Sequence, residues 1–228
     1  MKKLILLLTL IFTQIIVAQS FEEYSKKAKQ GDSKSQFNLG VCYQNGLGVT
    51  KDYKKAIYWY IKSAEQGDKE AQFNLGVCYE NGVGILKNLE KAFYWYAKSA
   101  KQGDRDAQCN LGGCYKDGLG VLIDYEKSFY WYSKSAEQGN ANAQCNLGIS
   151  YHLGLGTLKN SEKAFYWYTK SAEKGVAMAQ NNIAFCYFYG DGVSIDKKKA
   201  AYWCKIADKN GYENARNFWN SEELWRYE

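Results

Sequence analysis

Gly31, Gly67, Gly103, Gly139, Gly175 and Gly211 are spaced by 36 residues without a slip, and Trp59, Trp95, Trp131, Trp167 and Trp203 keep the same interval. Such a period belongs to a stacked array, in which each copy of one small unit can bury its apolar face only against the next copy. The stretch "LGVCYQNGLGV" at residues 39–49 returns as "LGVCYENGVGI", "LGGCYKDGLGV", "LGISYHLGLGT" and "IAFCYFYGDGV". A chain built this way has little freedom in its fold.

Each unit decodes as two helices. In the first, Ala71, Leu75, Cys78 and Tyr79 fall at i, i+4, i+7 and i+8 and make one apolar stripe. The Gly-x-Gly pair, from Gly46 and Gly48 to Gly190 and Gly192, stops it. The second helix starts at Asp52, Asn88, Asp124, Asn160 or Asp196, whose side-chain oxygens suit the orphan amides of a first turn. Its stripe is Ala56, Trp59, Tyr60, Ser63 and Ala64, and the Gly67 type closes it. With 21 Gly and no Pro, glycine does the punctuation, which favours helix ends over central strands. The fold class is therefore all-α: an α–α solenoid, or superhelix, of helix–turn–helix repeats.

Residues 1–20 read differently. Lys2 and Lys3 precede an apolar stretch from Leu4 to Val17, and small residues follow at Ala18 and Ser20. This is the pattern of a secretory signal peptide cleaved near Ala18–Ser20, too short for a comfortable membrane span, with an uncleaved anchor as the alternative. Loss of Lys2 and Lys3 takes the formal charge from +6 to +4, a mild excess that does not suggest nucleic acid. The domain reading is a signal peptide over 1–20, a half-repeat cap over 21–32, five repeats (33–68, 69–104, 105–140, 141–176 and 177–212) and a capping helix over 213–228. The caps cover the two terminal apolar faces.

A unit such as "AQFNLGVCYENGVGILKNLEKAFYWYAKSAKQGD" resembles the Sel1-like repeat, a relative of the tetratricopeptide repeat with a longer inner turn. The shared residues are the Ala-Gln, Asn-Leu-Gly, Tyr, Gly-x-Gly, Lys-Ala, Trp-Tyr and Ala-x-x-Gly positions, over residues 21–227. The resemblance implies a non-enzymatic adaptor that assembles complexes or binds peptides and envelope partners. One secreted, cysteine-rich branch clips each unit with a disulfide, and some members are linked to penicillin binding or β-lactam hydrolysis. The corresponding places here hold Ala64 and Gln72, Ala100 and Gln108, and Ala136 and Gln144. The clip is absent, which weakens that alternative.

No motif assembles into chemistry. Gly46 and Gly48 lack the following Lys-Ser/Thr and the preceding strand of a phosphate loop, so turn geometry explains them better. His152 is the only histidine and stands at a variable place; no zinc cluster or nucleophilic triad can be built around it. Ser171 with Lys174, and Ser194 with Lys197, match Ser-x-x-Lys without the other motifs of a penicillin-recognising enzyme. No catalytic residue, cofactor or metal is expected. Cys42, Cys78, Cys114 and Cys186 share one repeat position on the packed stripe, where a thiol serves as a small hydrophobe. Cys78–Cys109 and Cys114–Cys145 have equal separations, so two disulfides between successive first helices are a second possibility in an oxidising compartment.

Two faces remain. On the first helix, Phe37, Phe73, Cys109, Cys145 and Asn181 form one column, and Val41, Val77, Gly113, Ile149 and Phe185 the next. Gln44, Glu80, Lys116, His152 and Phe188 form a third. By alignment to the tetratricopeptide relative these places line a concave groove for peptides; alternatively the neighbouring helix covers them, and Phe37, Phe73 and Phe185 are core. On the second helix, Tyr58, Tyr94, Tyr130, Tyr166 and Tyr202 sit about 160° from the packed Tyr60 series, at ~100° per residue. Lys62, Lys98, Lys134 and Lys170 follow them, and Lys55, Lys91, Lys127, Lys163 and Lys199 precede. A Lys–Tyr–Lys strip facing outward is either solvated surface or a place for cell-wall glycan or another polyanion. The expected partner is a protein or peptide of the cell envelope or host, met by an exported protein in the periplasm or outside the cell.

Overall fold

The computed structural model describes residues 18–227, all helix and connecting turn, with no strand among them. The expected export segment lies outside the described residues except for its last three. Helix α1 spans residues 18–29. It is followed by α2 (Ser33–Asn45), α3 (Tyr53–Glu65), α4 (Lys69–Asn81), α5 (Leu89–Lys101), α6 (Arg105–Asp117) and α7 (Tyr125–Glu137). Then come α8 (Ala141–Leu153), α9 (Ser161–Ala172), α10 (Ala177–Tyr189), α11 (Lys197–Lys209), α12 (Glu213–Ser221) and a 3-10 turn over Leu224–Tyr227. The pairs α2–α3, α4–α5, α8–α9 and α10–α11 are hairpins, and α3, α7, α9 and α11 also pack on the next first helix. The chain is an α–α solenoid.

It divides into two compact units. One runs to Ala107 and takes in Leu119–Val121; the other holds Gln108–Gly118 and everything from Leu122 onward.

Helix ends follow from side-chain chemistry. Asp52, Asn88, Asp124, Asn160 and Asp196 each accept from the amide three residues on, at 2.8–3.0 Å. The first helices are capped alike by Asp32, Asp68, Asp104 and Asn140. Val176 takes that place before α10 and offers no side-chain bond. The first glycine of each Gly-x-Gly is a left-handed cap; Gly46 N–H, for example, donates to Cys42 O at 2.8 Å. The second is held at positive φ against an earlier hairpin: a Cβ on Gly156 would run into the carbonyl of Tyr125. The loop is a docking point for backbone, which only glycine permits.

Packing explains the glycine in mid-helix. A Cβ on Gly76 would lie 2.6 Å from the ring of Tyr96, and Gly40, Gly112 and Gly148 stand in the same way to Tyr60, Tyr132 and Tyr168. Those four rings are 0–3% exposed. In the last full hairpin the pair is Ala184 with Cys204, both fully buried in one cluster. One methyl group is gained where a phenol is lost. The tryptophans are half-buried, not at the centre of the stripe: Trp167 packs against the Tyr132 cluster and Trp203 against that of Cys204.

Successive hairpins are joined by buried side-chain hydrogen bonds. Gln36, Gln72, Gln144 and Gln180 donate through Nε2 to Ala28, Ala64, Ala136 and Ala172 O at 3.0–3.2 Å. Within a hairpin the Oε1 atoms of three of them accept in turn: Gln66 Nε2 reaches Gln36, Gln102 reaches Gln72, and Asn210 Nδ2 reaches Gln180. Gln138 does the same for Gln108. Lys174 breaks the series. It reaches Gly139 O and leaves Gln144 Oε1 buried without a partner. Within a hairpin, Ser63, Ser99 and Ser171 add bonds to Ser33, Lys69 and Ala141 O. Residues 64 and 72 are therefore linked by an amide where a cysteine-rich relative would place sulfur.

The seven cysteines are thiols. Neither Cys78–Cys109 nor Cys114–Cys145 is bridged in this structure. The equal spacing reflects the repeat, while packing decides the role: Cys145 is fully buried among Ala164, Tyr168, Ala179 and Ile183. Burial pushes the thiols of Cys145 and Cys186 up to about 12, and those of Cys78 and Cys204 up to about 11. These are apolar fillers, held protonated.

Candidate functional site

The groove columns divide once side chains are in place. Phe37 and Phe73 are half-buried and lie over Tyr60 and Tyr96, ring centroids 5.9 and 6.0 Å apart. They serve packing at least as much as any ligand. Tyr60 donates its hydroxyl to Gln44 Oε1 at 2.8 Å, with Asn74 as a further partner, and Tyr96 donates to Glu80. Gln44 and Glu80 thus hold the end of a buried phenol. Lys116 faces Asp117 at 3.5 Å. Val41, Val77 and Ile149 are half-buried. Phe188 is half-buried as well and packs on the cluster of Ala184, Cys204 and Phe218, where Cys204 leaves no hydroxyl to satisfy.

His152 and Phe185 do come together. With Asn182, Tyr168, Tyr189 and Asp191 they line a cleft of about 520 Å³ between α8 and α10, with Lys159 at its edge. His152 Nδ1 stands 2.9 Å from Asp191 Oδ2 without a hydrogen bond between them. Tyr189 and Phe185 are 56% and 39% exposed and carry the apolar wall. Asn182 was not singled out from the sequence. Its signal was visible, since Asn38, Asn74, Asn110, Asn146 and Asn182 keep the period and all are half-buried.

The outward tyrosines are where the helical angle put them. Tyr58, Tyr94, Tyr130, Tyr166 and Tyr202 are 49–60% exposed, each edge-on to the following tryptophan. Lys62, Lys98, Lys134 and Lys170 set their ammonium groups over the first four rings at 4.8–5.9 Å. The preceding lysines do not join them. Lys55, Lys91, Lys127, Lys163 and Lys199 instead cover Tyr43, Tyr79, Tyr115, Tyr151 and Tyr187 at 5.2–5.4 Å. The face is Tyr–Lys, not Lys–Tyr–Lys.

Ser171 Oγ donates to Ala141 O at 2.7 Å from a fully buried position, so the Ser171–Lys174 match is architectural. Among the described residues no cluster of three or more His, Cys, Asp or Glu could hold a metal ion, and no helix is long and apolar enough to cross a membrane.

Fold and faces together define a helical repeat scaffold of the kind that presents surfaces to other proteins. The Sel1 repeat family model matches residues 33–68, 69–104, 105–140, 141–176 and 177–212, and the chain belongs to that family. It is similar to a protective antigen of uropathogenic Escherichia coli with the SLR fold (36% identity, TM-score 0.81), covering 87% of this chain but 43% of that one. It is also similar to a Sel1 repeat protein from Oxalobacter formigenes (36% identity, TM-score 0.78), covering 87% and 84%. No curated protein matches the chain.

Proposed function

We propose that this chain is an exported, non-enzymatic scaffold that binds a protein or peptide segment on the face formed by its first helices. The cleft holding His152, Asn182, Phe185 and Tyr189 carries this reading. It combines an exposed aromatic wall with the amide of Asn182 and the polar groups of His152 and Asp191, the mixture that holds a chain segment by apolar contact and fixes it by hydrogen bonds. The basic, apolar start of the sequence supports export. So does the likeness to a protective antigen, a role that requires meeting the host. The partner is then an envelope or host protein rather than nucleic acid. Affinity capture from the native envelope, with Asn182→Ala/Tyr189→Ala beside the unaltered chain, is the test. The reading requires a partner retained by the original and lost by the variant while the circular dichroism spectrum is unchanged; an identical captured set defeats it.

A second reading places glycan or polyanion on the Tyr–Lys faces, on the strength of their exposure. Binding of cell-wall polymer that survives Tyr94→Ala plus Tyr130→Ala eliminates it.

A further inference from the structure

Beside the first cleft, across the ridge of Phe185 and Tyr189, a second one of about 540 Å³ opens between α10 and α12. Three features mark its chemistry. Asn181 is 4% exposed, yet its Oδ1 has no hydrogen-bond partner, a costly state for a buried amide unless something else supplies a donor. The wall is aromatic: Phe185 stacks on Phe218 with centroids 3.9 Å apart at 15°, and Tyr189 lies 5.9 Å from Phe185 at 23°. Glu222 closes one side, its Oε1 accepting from the Tyr189 hydroxyl at 3.1 Å. No Lys, Arg or His lines the cleft, although the whole chain holds 30 Lys and Arg.

An orphan acceptor, a carboxylate and exposed ring faces all favour a donor-rich cation. We propose that this cleft takes the arginine or lysine side chain of an extended peptide, its backbone held by the amides of Asn181, Asn182 and Asn217. The site specifies the partner of the peptide-binding reading above and rests on it. It commits to a basic segment, because a neutral sugar would make no use of Glu222 beyond one hydrogen bond and an acidic peptide would oppose it.

The test uses the full chain and three probes: acetyl-Leu-Arg-Leu-amide, the same peptide with neutral citrulline, and tri-N-acetylglucosamine. Side-chain amide resonances of Asn181, Asn182 and Asn217 report the site. The arginine peptide should shift all three and bind about tenfold more tightly than the citrulline peptide, as expected for one desolvated cationic contact. Glu222→Gln should abolish that preference while leaving citrulline binding in place. Equal affinities, silence at these amides, or shifts by the sugar without an arginine preference would each overturn the proposal. If that happens while Asn182→Ala/Tyr189→Ala still loses the native partner, only this inference fails; if capture also survives the variant, the groove reading fails with it.

Discussion

The first four hairpins and the fifth solve the same packing problem with different atoms. In the first four, a helical glycine admits the ring of Tyr60, Tyr96, Tyr132 or Tyr168; Gln44 and Glu80 are then drawn to the phenol oxygen. In the fifth, Ala184 and Cys204 fill the gap, and Phe188 packs against their cluster with Phe218 of α12 edge-on to it at 5.7 Å. Losing a buried hydroxyl releases the residues around it from hydrogen-bonding duty. Both aromatic clefts are walled by Phe185 and Tyr189 of this last hairpin, the first also by His152 and Tyr168 of the fourth, so the repeat departs from its pattern where the clefts open and stays constant where it stacks.

That contrast can be broken experimentally. Tyr96→Ala should cost about 3–5 kcal/mol, because a large ring leaves a cavity. Cys204→Ala should cost only about 1 kcal/mol; equal losses in urea unfolding would erase the distinction. Next comes the loop glycine. Gly156→Ala, which forces a methyl into the carbonyl of Tyr125, should lower stability by ~3 kcal/mol, whereas Gly175→Ala meets nothing within 4 Å and should cost ~1 kcal/mol, the left-handed strain alone. Thermal melts of both variants compare them directly.

The thiols give a pH test. Cys78 and Cys204 are raised to about 11 and Cys145 and Cys186 to about 12, above the ordinary value near 9. Between 9 and those values the native chain binds more protons than the unfolded one, so stability is whole below 9 and falls as pH rises through that window. Urea midpoints at pH 8 and 10.5, with and without reductant, should differ with pH and not with reductant. The smallest effect is a gain. Lys174→Gln restores the missing donor to Gln144 Oε1 and should stabilise by about 1 kcal/mol; a loss would mean the glutamine pairs do not hold the two helices of a hairpin together.

The fold was legible because periodicity and caps are local: the 36-residue spacing, the Asp52 type of N-cap and the outward Tyr58 series all follow from helix geometry. The site was less so. A helical angle says which way a residue points and not what a neighbouring element lays over it, hence Phe188 packed against the core cluster and Lys55 over Tyr43 instead of Tyr58. Equal sequence spacing of cysteines likewise fixes register but not whether two sulfurs meet. Asn181 was in a column without its meaning, which depends on the absence of a partner.

The central claim is that glycine and tyrosine, or alanine and cysteine, act as one exchangeable packing pair. A double-mutant cycle on Gly76→Ala and Tyr96→Cys measures this directly. Gly76→Ala alone should cost about 1–3 kcal/mol by overpacking. Added to Tyr96→Cys, it should restore stability, giving a coupling of at least about 1 kcal/mol. Strictly additive losses would contradict the account.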